Sequence, residues 1–273
     1  MPLLVLAMND HKPITQTLLI TGASSGIGKA TAQLFAERGY QVFDLSRRGT
    51  IPCDVTDEAS VQRAVEEVMR RTDHIDVLIL NAGFGISGPA ECTPIADVRR
   101  QMDVNFTGAV AVVQQVLPHM RQRRQGRIIF TSSVAAILPI PYQSFYSASK
   151  AAINAFALAL QNEVRDYGIC VSVLMPGDVQ TGFTAARKKV QLSTLNSQHS
   201  TSYPHAEQAV AAMERDEQRG LTPQSMARCL YRIATARHPR PQYIGGAEYH
   251  LFAFLHWLLP QRLVNYIVGR LYS

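Results

Sequence analysis

A tyrosine and a lysine that could exchange protons with a bound substrate stand four residues apart, at Tyr146 and Lys150. Residues at this spacing share one face of a helix, so the phenol and the ammonium group can meet in one site. A free phenol has a pKa of about 10. A nearby cation favours the phenolate, which makes Tyr146 a candidate acid or base. The pair alone is a common pattern without functional meaning. Tyr142 is a rival, but it follows Pro141 in a predicted loop and has no lysine at the matching spacing.

A second candidate is the glycine-rich segment TGASSGIG at residues 21–28, between a predicted strand and a predicted helix. In such a turn the backbone amides approach a pyrophosphate, and glycines are needed where a Cβ would block that approach. The spacing is GxxxGxG rather than GxGxxG, and a purely structural turn would give a similar pattern. Its place at the first strand-to-helix junction favours a dinucleotide site.

The end of the second predicted strand bears on the choice between NAD and NADP. An acid there would bind the ribose 2′-hydroxyl of NAD, whereas an arginine would favour the 2′-phosphate of NADP. Strand alternation points Asp44 to the opposite side from Leu45 and leaves Ser46 and Arg47 at the tip. We therefore predict that NADP is preferred and that NAD is possible. A pair of solvated loop arginines, Arg47 with Arg48, is the alternative interpretation.

Short apolar runs that alternate with helical patterns must position these residues. The strand candidates are residues 17–21, 41–45, 75–80, 126–133 and 170–176, with a weaker run at 51–55 and a last strand at 242–246. Long helices are predicted at 104–122 and 146–167. This alternation is typical of βαβ units and a parallel sheet. No linker or repeat interrupts it, so we predict one α/β domain over residues 1–273.

The composition excludes several classes of protein. Of the 273 residues, 47% are hydrophobic and 18% are charged, which excludes a disordered chain, a collagen-like repeat and a small disulfide-stapled scaffold. The four cysteines form no CxxC pair, so we expect no metal site and a reducing, cytoplasmic setting. The net charge is +6, but the sequence has no stretch of basic residues interspersed with aromatic ones. We therefore expect no nucleic-acid partner.

Three segments lie outside the core pattern. Residues 1–8 have neither a basic region nor a cleavage site, and no run of about 18 apolar residues occurs anywhere, so we expect neither a signal peptide nor a transmembrane helix. Residues 183–220 are polar and weakly patterned, typical of a substrate lid. Residues 249–273 are strongly apolar with two charges, Arg262 and Arg270. We favour a pocket cover or subunit interface for them, and a membrane-surface helix or completion of the core stays open.

Together the motifs resemble the short-chain dehydrogenase/reductase family over about residues 17–182. The resemblance rests on the turn at 21–28, the NAG motif at 81–83, the asparagine of VNFTG at 105, the serine pair at 132–133, Tyr146 with Lys150, and the PGDVQT segment at 176–181. It implies a Rossmann-type, doubly wound parallel sheet in three αβα layers. Residues 17–182 would hold the cofactor and catalytic core, with a helical substrate lid on the C-terminal side.

The resemblance also implies a role for each matching residue. Ser133 would hydrogen-bond the substrate carbonyl, Tyr146 would deliver the proton, Lys150 would bind the nicotinamide ribose and lower the Tyr146 pKa, and Asn105 would hold a water of a proton relay. Beyond Tyr146 and Lys150, the implied cofactor contacts are Gly22, Ser24, Ser25, Gly26, Ile27, Gly28, Ser46, Arg47, Asp54, Val55, Asn81, Ala82, Gly83, Pro176, Gly177, Val179 and Thr181.

The resulting prediction is an NADPH-dependent reductase of a ketone or aldehyde. The apolar, glycine-rich loop at 84–89 favours a lipophilic substrate, and that loop and the long C-terminus resemble the steroid- and retinoid-type branch of the family. The alternatives are an NAD-linked alcohol dehydrogenase and a non-catalytic NADP-binding redox sensor. The family's habit of pairing its two long helices predicts a homodimer or homotetramer.

Overall fold

Runs of buried apolar residues form the strands of the central sheet, as the alternating pattern predicts. The computed structural model describes residues 15–190 and 203–272. Within these ranges seven parallel strands pair in the order β3-β2-β1-β4-β6-β7-β9. They are β1 Thr17–Thr21, β2 Gln41–Ser46, β3 Ile51–Pro52, β4 Val77–Leu80, β6 Gly126–Thr131, β7 Ile169–Pro176 and β9 Gln242–Gly245. A second, two-residue pairing joins β5 Ile86–Ser87 to β8 Lys188–Lys189.

Helices connect the strands and cover both faces of the sheet. They are α1 Gly26–Glu37, α2 Glu58–Arg71, α3 Ile95–Met102, α4 Gly108–Arg123, α5 Ser144–Val164, α6 Phe183–Ala186, α7 Ala206–Arg219, α8 Pro223–Thr235, α9 Ala247–Leu258 and α10 Gln261–Leu271. Several start where the sequence supplies a cap. The Asp57 carboxylate accepts the Ala59 N–H at the start of α2, and the Thr222 hydroxyl accepts the Ser225 N–H at the start of α8.

Two hydrophobic cores lie on opposite faces of the sheet and give the expected three layers. One core packs α2, α4 and α5 on the sheet through residues such as Val61, Val112 and Ile153. The other packs α1 and α8 on the reverse face through Phe35 and Leu230. The predicted Rossmann-type αβα architecture is thereby confirmed.

Several predicted element ends are wrong by a few residues, each for a local reason. The fourth strand starts at Val77 rather than residue 75, and just before it the Asp76 carboxylate accepts the Thr17 N–H at 2.7 Å. The next ends at Thr131 because Ser133 caps a short 3-10 turn, its hydroxyl accepting the Ala135 N–H at 3.1 Å. The helix predicted at 104–122 starts at Gly108, because a π-helical segment, Asp103–Thr107, joins it to α3. The helix predicted at 146–167 spans Ser144–Val164.

The order of the strands sets the place of any site. Connections leave β1 and β4 toward opposite edges of the sheet, so a crevice opens beyond the carboxyl ends of these two neighbouring strands. The predicted lid region contributes α6, β8 and α7 above it, and residues 191–202 lie outside the described residues. The segment 1–14, on which the signal-peptide prediction falls, lies outside them as well. None of the described helices combines the length and apolar character needed to cross a membrane.

Candidate active site

The crevice at the carboxyl ends of the strands continues into a cavity of about 1640 Å³. It brings together nearly all the predicted site residues, from the glycine-rich turn through the NAG motif to Ser133, Tyr146 and Lys150. Two predicted contacts, Gly28 and Asn105, do not line it. Both are buried.

The glycine-rich turn is held against the end of β4. Gly22 has a left-handed backbone, with φ of 69°, and a Cβ there would lie 2.8 Å from the Ala82 Cα. A Cβ on Gly28 would collide with the Gly22 carbonyl oxygen, which also accepts the Asn81 side-chain amide at 3.2 Å. Glycine is therefore required at both positions by close packing of two backbones.

The first turn of α1 meets the chemical requirements of a pyrophosphate. Its N-cap, Ser25, makes no side-chain capping bond, and no acidic residue lies in the first turn. The leading backbone N–H groups and the positive end of the helix dipole are therefore free for an anion. The residues present fit the diphosphate bridge of a dinucleotide.

The tip of β2 presents arginine rather than acid to the cavity. The Asp44 carboxylate accepts hydrogen bonds from the Ala23 N–H at 3.2 Å and from the Ser46 hydroxyl at 3.0 Å, so it braces the glycine-rich turn. Arg47 and Arg48 are exposed and line the cavity. Asp54 lies across from them, and hydrogen bonds from Thr56 hold the pKa of its carboxyl below the usual value.

Ser133 and Tyr146 line the same cavity, whereas the hydroxyl of the neighbouring Ser132 has a backbone partner. The Ser132 hydroxyl donates to the Lys150 carbonyl oxygen at 3.1 Å and is buried. Burial raises the pKa of Tyr146 to about 12, and a hydrogen bond with Ser133 acts against that rise. Tyr146 is thus a neutral phenol at physiological pH.

Lys150 has its own hydrogen-bond partner, a backbone carbonyl oxygen of β6. The Lys150 ammonium donates to the Thr131 carbonyl oxygen at 2.9 Å and lies 5.8 Å from the centre of the Tyr146 ring. Burial lowers the pKa of Lys150 to about 8. Desolvation of the phenol is the largest influence on the Tyr146 pKa, and a lowering of that pKa by Lys150 stays a prediction.

Asn105 sits in the π-helical segment and is fully buried. Its amide nitrogen donates to the Phe84 carbonyl oxygen and to the Ser149 hydroxyl, each at 3.0 Å, and its oxygen accepts the Phe84 N–H at 3.0 Å. A Cβ on Gly83 would lie 3.2 Å from that oxygen and 3.5 Å from the Lys150 Nζ. Asn105 therefore fixes the loop after β4, and the place where Gly83 lacks a Cβ lies close to both the Asn105 oxygen and the Lys150 ammonium.

Sequence reasoning missed Tyr249, which joins the C-terminal helices to the PGDVQT segment. Its hydroxyl donates to the Asp178 carboxylate at 2.5 Å and accepts the Asp178 N–H at 3.0 Å. Its ring covers Gly177, where a Cβ would overlap the ring. Burial raises the pKa of Tyr249 and also that of Asp178. No local pattern could have indicated this contact, since the partners are 71 residues apart.

Arg187, at the base of the lid, was also missed. Its side chain is buried and forms an ion pair with Glu217 of α7, which also accepts the Thr184 hydroxyl at 2.5 Å. The guanidinium lies 5.5 Å from the ring centre of Phe183, and that ring is 5.5 Å from the ring of Tyr146. The pair with Glu217 therefore ties α6 to α7 above the reacting end of the cavity.

The outer part of the cavity is apolar, and both C-terminal helices supply its wall. Residues 249–273, whose role the sequence leaves open, contribute to the cavity lining through Phe252, Leu255, Leu259, Val264, Ile267, Val268 and Leu271. Within the described ranges no group of three histidine, cysteine, aspartate or glutamate side chains could hold a metal ion.

Comparisons with known proteins agree with this geometry. The model of a family described as short chain dehydrogenase matches residues 46–191. A 3-ketodihydrosphingosine reductase from Bacteroides thetaiotaomicron is 37% identical over 267 residues, covering 94% of this chain and 98% of that protein. An NADPH-dependent 3-dehydrocapnine reductase from Ornithobacterium rhinotracheale is 30% identical over 270 residues, covering 91% and 94%. The crystal structure of a short-chain dehydrogenase from Streptomyces avermitilis superposes with a TM-score of 0.78 at 26% identity, covering 89% of this chain and 92% of that one.

Proposed function

The chain belongs to the short-chain dehydrogenase/reductase family of oxidoreductases, and from this premise we propose that it reduces a lipophilic ketone to the alcohol with NADPH. The observation that carries the proposal is that Ser133, Tyr146 and Lys150 line one cavity with the glycine-rich turn, and that apolar side chains of α9 and α10 line the same cavity. A protonated phenol is the acid that carbonyl reduction requires, because the carbonyl oxygen becomes basic as the carbon is reduced.

Several groups of residues would hold the cofactor, which supplies a hydride when bound. The first turn of α1 and the glycine-rich turn take the diphosphate, and Ser46 with Arg47 take the 2′-phosphate. Asp54 and Val55, which line the same cavity, would flank the adenine. The remaining contacts line the inner cavity, at Asn81, Ala82, Gly83, Lys150, Pro176, Gly177, Val179 and Thr181.

Ser133, Tyr146, Lys150 and Asn105 would have different roles in the proton transfer. The Ser133 hydroxyl donates to the substrate oxygen and holds it beside the Tyr146 phenol, which gives its proton as the alcohol forms. Lys150 binds the ribose, and Asn105 holds the loop after β4 beside the water relay that would link Lys150 to solvent. The second lone pair of the Asn105 oxygen would accept the relay water.

Two observations support a long apolar substrate. The cavity wall beyond Tyr146 is built from leucine, valine, isoleucine and phenylalanine side chains of α9 and α10. Two relatives that align along most of the chain are named as reductases of 3-ketodihydrosphingosine and of 3-dehydrocapnine. We infer a ketone of this kind rather than a steroid or a retinoid.

The substitution Tyr146→Phe tests the proposal. We expect it to keep NADPH binding by calorimetry and to reduce NADPH consumption with 3-ketodihydrosphingosine by about 10²–10⁴-fold, the usual contribution of a general acid. Tyr142→Phe, at the rival tyrosine, is the matched control and should stay active.

Three outcomes would contradict this function. Retained turnover in Tyr146→Phe would remove the proton donor. Turnover with NADH equal to or faster than with NADPH would favour an NAD-linked alcohol dehydrogenase. Tight NADPH binding without turnover of this ketone or of an aldehyde, ketosteroid, retinal and quinone panel would favour a redox sensor.

A further inference from the structure

Helices α9 and α10 carry most of the large exposed apolar side chains of the described residues. We call this set the C-terminal apolar face: Leu251, Phe252, Phe254, Trp257, Leu258, Leu263, Tyr266, Ile267 and Leu271. In the rest of the described ranges, the large exposed apolar residues are the scattered Ile95, Leu158 and Tyr167. Exposed apolar side chains concentrated on two consecutive helices are typical of a site of interaction.

Charge is distributed over this face in a way that suits an anionic lipid surface. Residues 249–261 contain no aspartate, glutamate, lysine or arginine. On α10, Arg262, Tyr266 and Arg270 follow at intervals of four and so form one row along the helix, beside the apolar row of Leu263 and Ile267. Arginine heads and tyrosine hydroxyls reach the headgroup level while the apolar row enters the acyl region.

A second copy of the chain fits this face less well. In a twofold contact this surface would meet a copy of itself, so Arg262 and Arg270 would find their partners only among the residues of the same face. The α10 sequence, QRLVNYIVGRL, contains no acidic residue to pair with them. Lipid phosphates and carboxylates supply the missing negative charge.

The two helices can lie on a bilayer but cannot cross it. They are 12 and 11 residues long, which gives about 18 and 17 Å of helix against the ~30 Å hydrocarbon core. Pro260 separates them, so they do not form one longer helix. Their geometry is that of an interfacial pair.

Side chains of the same helices also line the catalytic cavity, and Phe252, Ile267 and Leu271 belong to both sets. Leu255, Leu259, Val264 and Val268 face the space that reaches Tyr146, while Phe254 and Trp257 stack outside at 6.2 Å between ring centres. We propose that α9 and α10 dock on an anionic membrane surface and that the lipophilic ketone passes from the bilayer between them into the cavity. The entry route rests on the proposed function, whereas the docking does not.

The only tryptophan of the chain, Trp257, reports docking directly, since its side chain is 79% exposed. We expect its emission to shift to shorter wavelength when the full chain meets phosphatidylcholine vesicles that contain about 30% phosphatidylserine. The protein should cosediment with these vesicles, and added salt should weaken the binding. Unchanged emission together with no cosedimentation would overturn the proposal, whatever the enzyme activity.

Matched variants separate the apolar face, the arginines and the rest of the surface. The double variant Phe254→Ser with Leu258→Ser, outside the cavity wall, should weaken vesicle binding by about 10-fold or more, and Ile95→Ser should not. Arg262→Gln with Arg270→Gln should remove the preference for phosphatidylserine.

Two further readouts distinguish failure of docking from failure of the proposed function. Turnover of a short, water-soluble ketone should be unchanged in the Phe254 and Leu258 double variant, and turnover of a vesicle-borne long-chain ketone should fall with binding. If sedimentation instead shows that this variant converts a dimer to a monomer, and vesicles bind neither form, a second copy covers the face and the proposal is wrong. Vesicle binding without any NADPH turnover would leave docking intact and remove only the entry route.

Discussion

Tyr146 and Lys150 share one face of α5, as their spacing predicts, yet their polar groups have different partners. The phenol shares the cavity with Ser133, whereas the ammonium donates to the Thr131 carbonyl oxygen. Spacing places two side chains on one face but does not fix which neighbour each one selects, because that choice depends on burial and on backbone groups from another strand. The proton state of this site is therefore a property of the tertiary structure.

Lys150 should make the stability of the folded protein depend on pH. Its pKa is about 8 in the folded state against 10.5 when free, so between these values the unfolded chain binds more protons. The free energy of unfolding should rise with pH in this window, by up to ~1.4 kcal/mol per pH unit. Urea unfolding of wild type and Lys150→Met between pH 7 and 10 should show wild type gaining stability relative to the variant. Parallel curves would contradict the lowered pKa.

Arg47 should set the cofactor preference. It lines the cavity at the tip of β2, where an arginine bonds a phosphate through charged hydrogen bonds that contribute ~1.5–3 kcal/mol. Arg47→Ala should raise KM for NADPH by about 10- to 100-fold and change KM for NADH by less than about twofold. Arg48→Ala serves as the neighbouring control. An unaltered NADPH to NADH ratio in Arg47→Ala would show that the 2′-phosphate lies elsewhere.

At the scale of elements, the parallel strands could be predicted because short, nearly continuous apolar runs are typical of strands that are buried on both faces. The glycine-rich turn and the NAG motif could be predicted because they follow such strands. The π-helical segment around Asn105 and the packing of the Tyr249 ring on Gly177 could not be predicted from the sequence. Both arise from packing between segments distant along the chain, which leaves no periodic trace in either segment.

The contact between Gly177 and Tyr249 should be sensitive to a single methyl group. A Cβ on Gly177 would overlap the Tyr249 ring, so Gly177→Ala should displace α9 and destabilise the cofactor-free protein by about 1–3 kcal/mol. Thermal melting should show a lower midpoint and α9 should become sensitive to protease. Gly182→Ala, where nothing lies within 4 Å of the added atom, should melt like wild type. Equal melting of the two variants would place the Tyr249 ring away from Gly177.

For the whole molecule, the pairing of α4 and α5 with a second copy stays a prediction. Leu158 is a large apolar side chain of α5 that is 38% exposed, as a residue in such a contact would be. Leu158→Arg should therefore convert a dimer or tetramer to smaller species in sedimentation equilibrium, because it buries a charge in the contact. Ile95→Arg, on α3, should keep the mass of wild type. A monomeric wild type would contradict this assembly.

The position of β9 at the edge of the sheet has a consequence for biosynthesis. Its partner β7 is completed first, and residues 177–241 separate the two strands. A ribosome that adds about 5–20 residues per second needs roughly 3 to 13 seconds for that interval. During this time one edge of β7, apolar on both faces, has no partner from its own chain. Slow translation of residues 177–241 would lengthen the period in which a nascent chain can pair with a strand of another molecule.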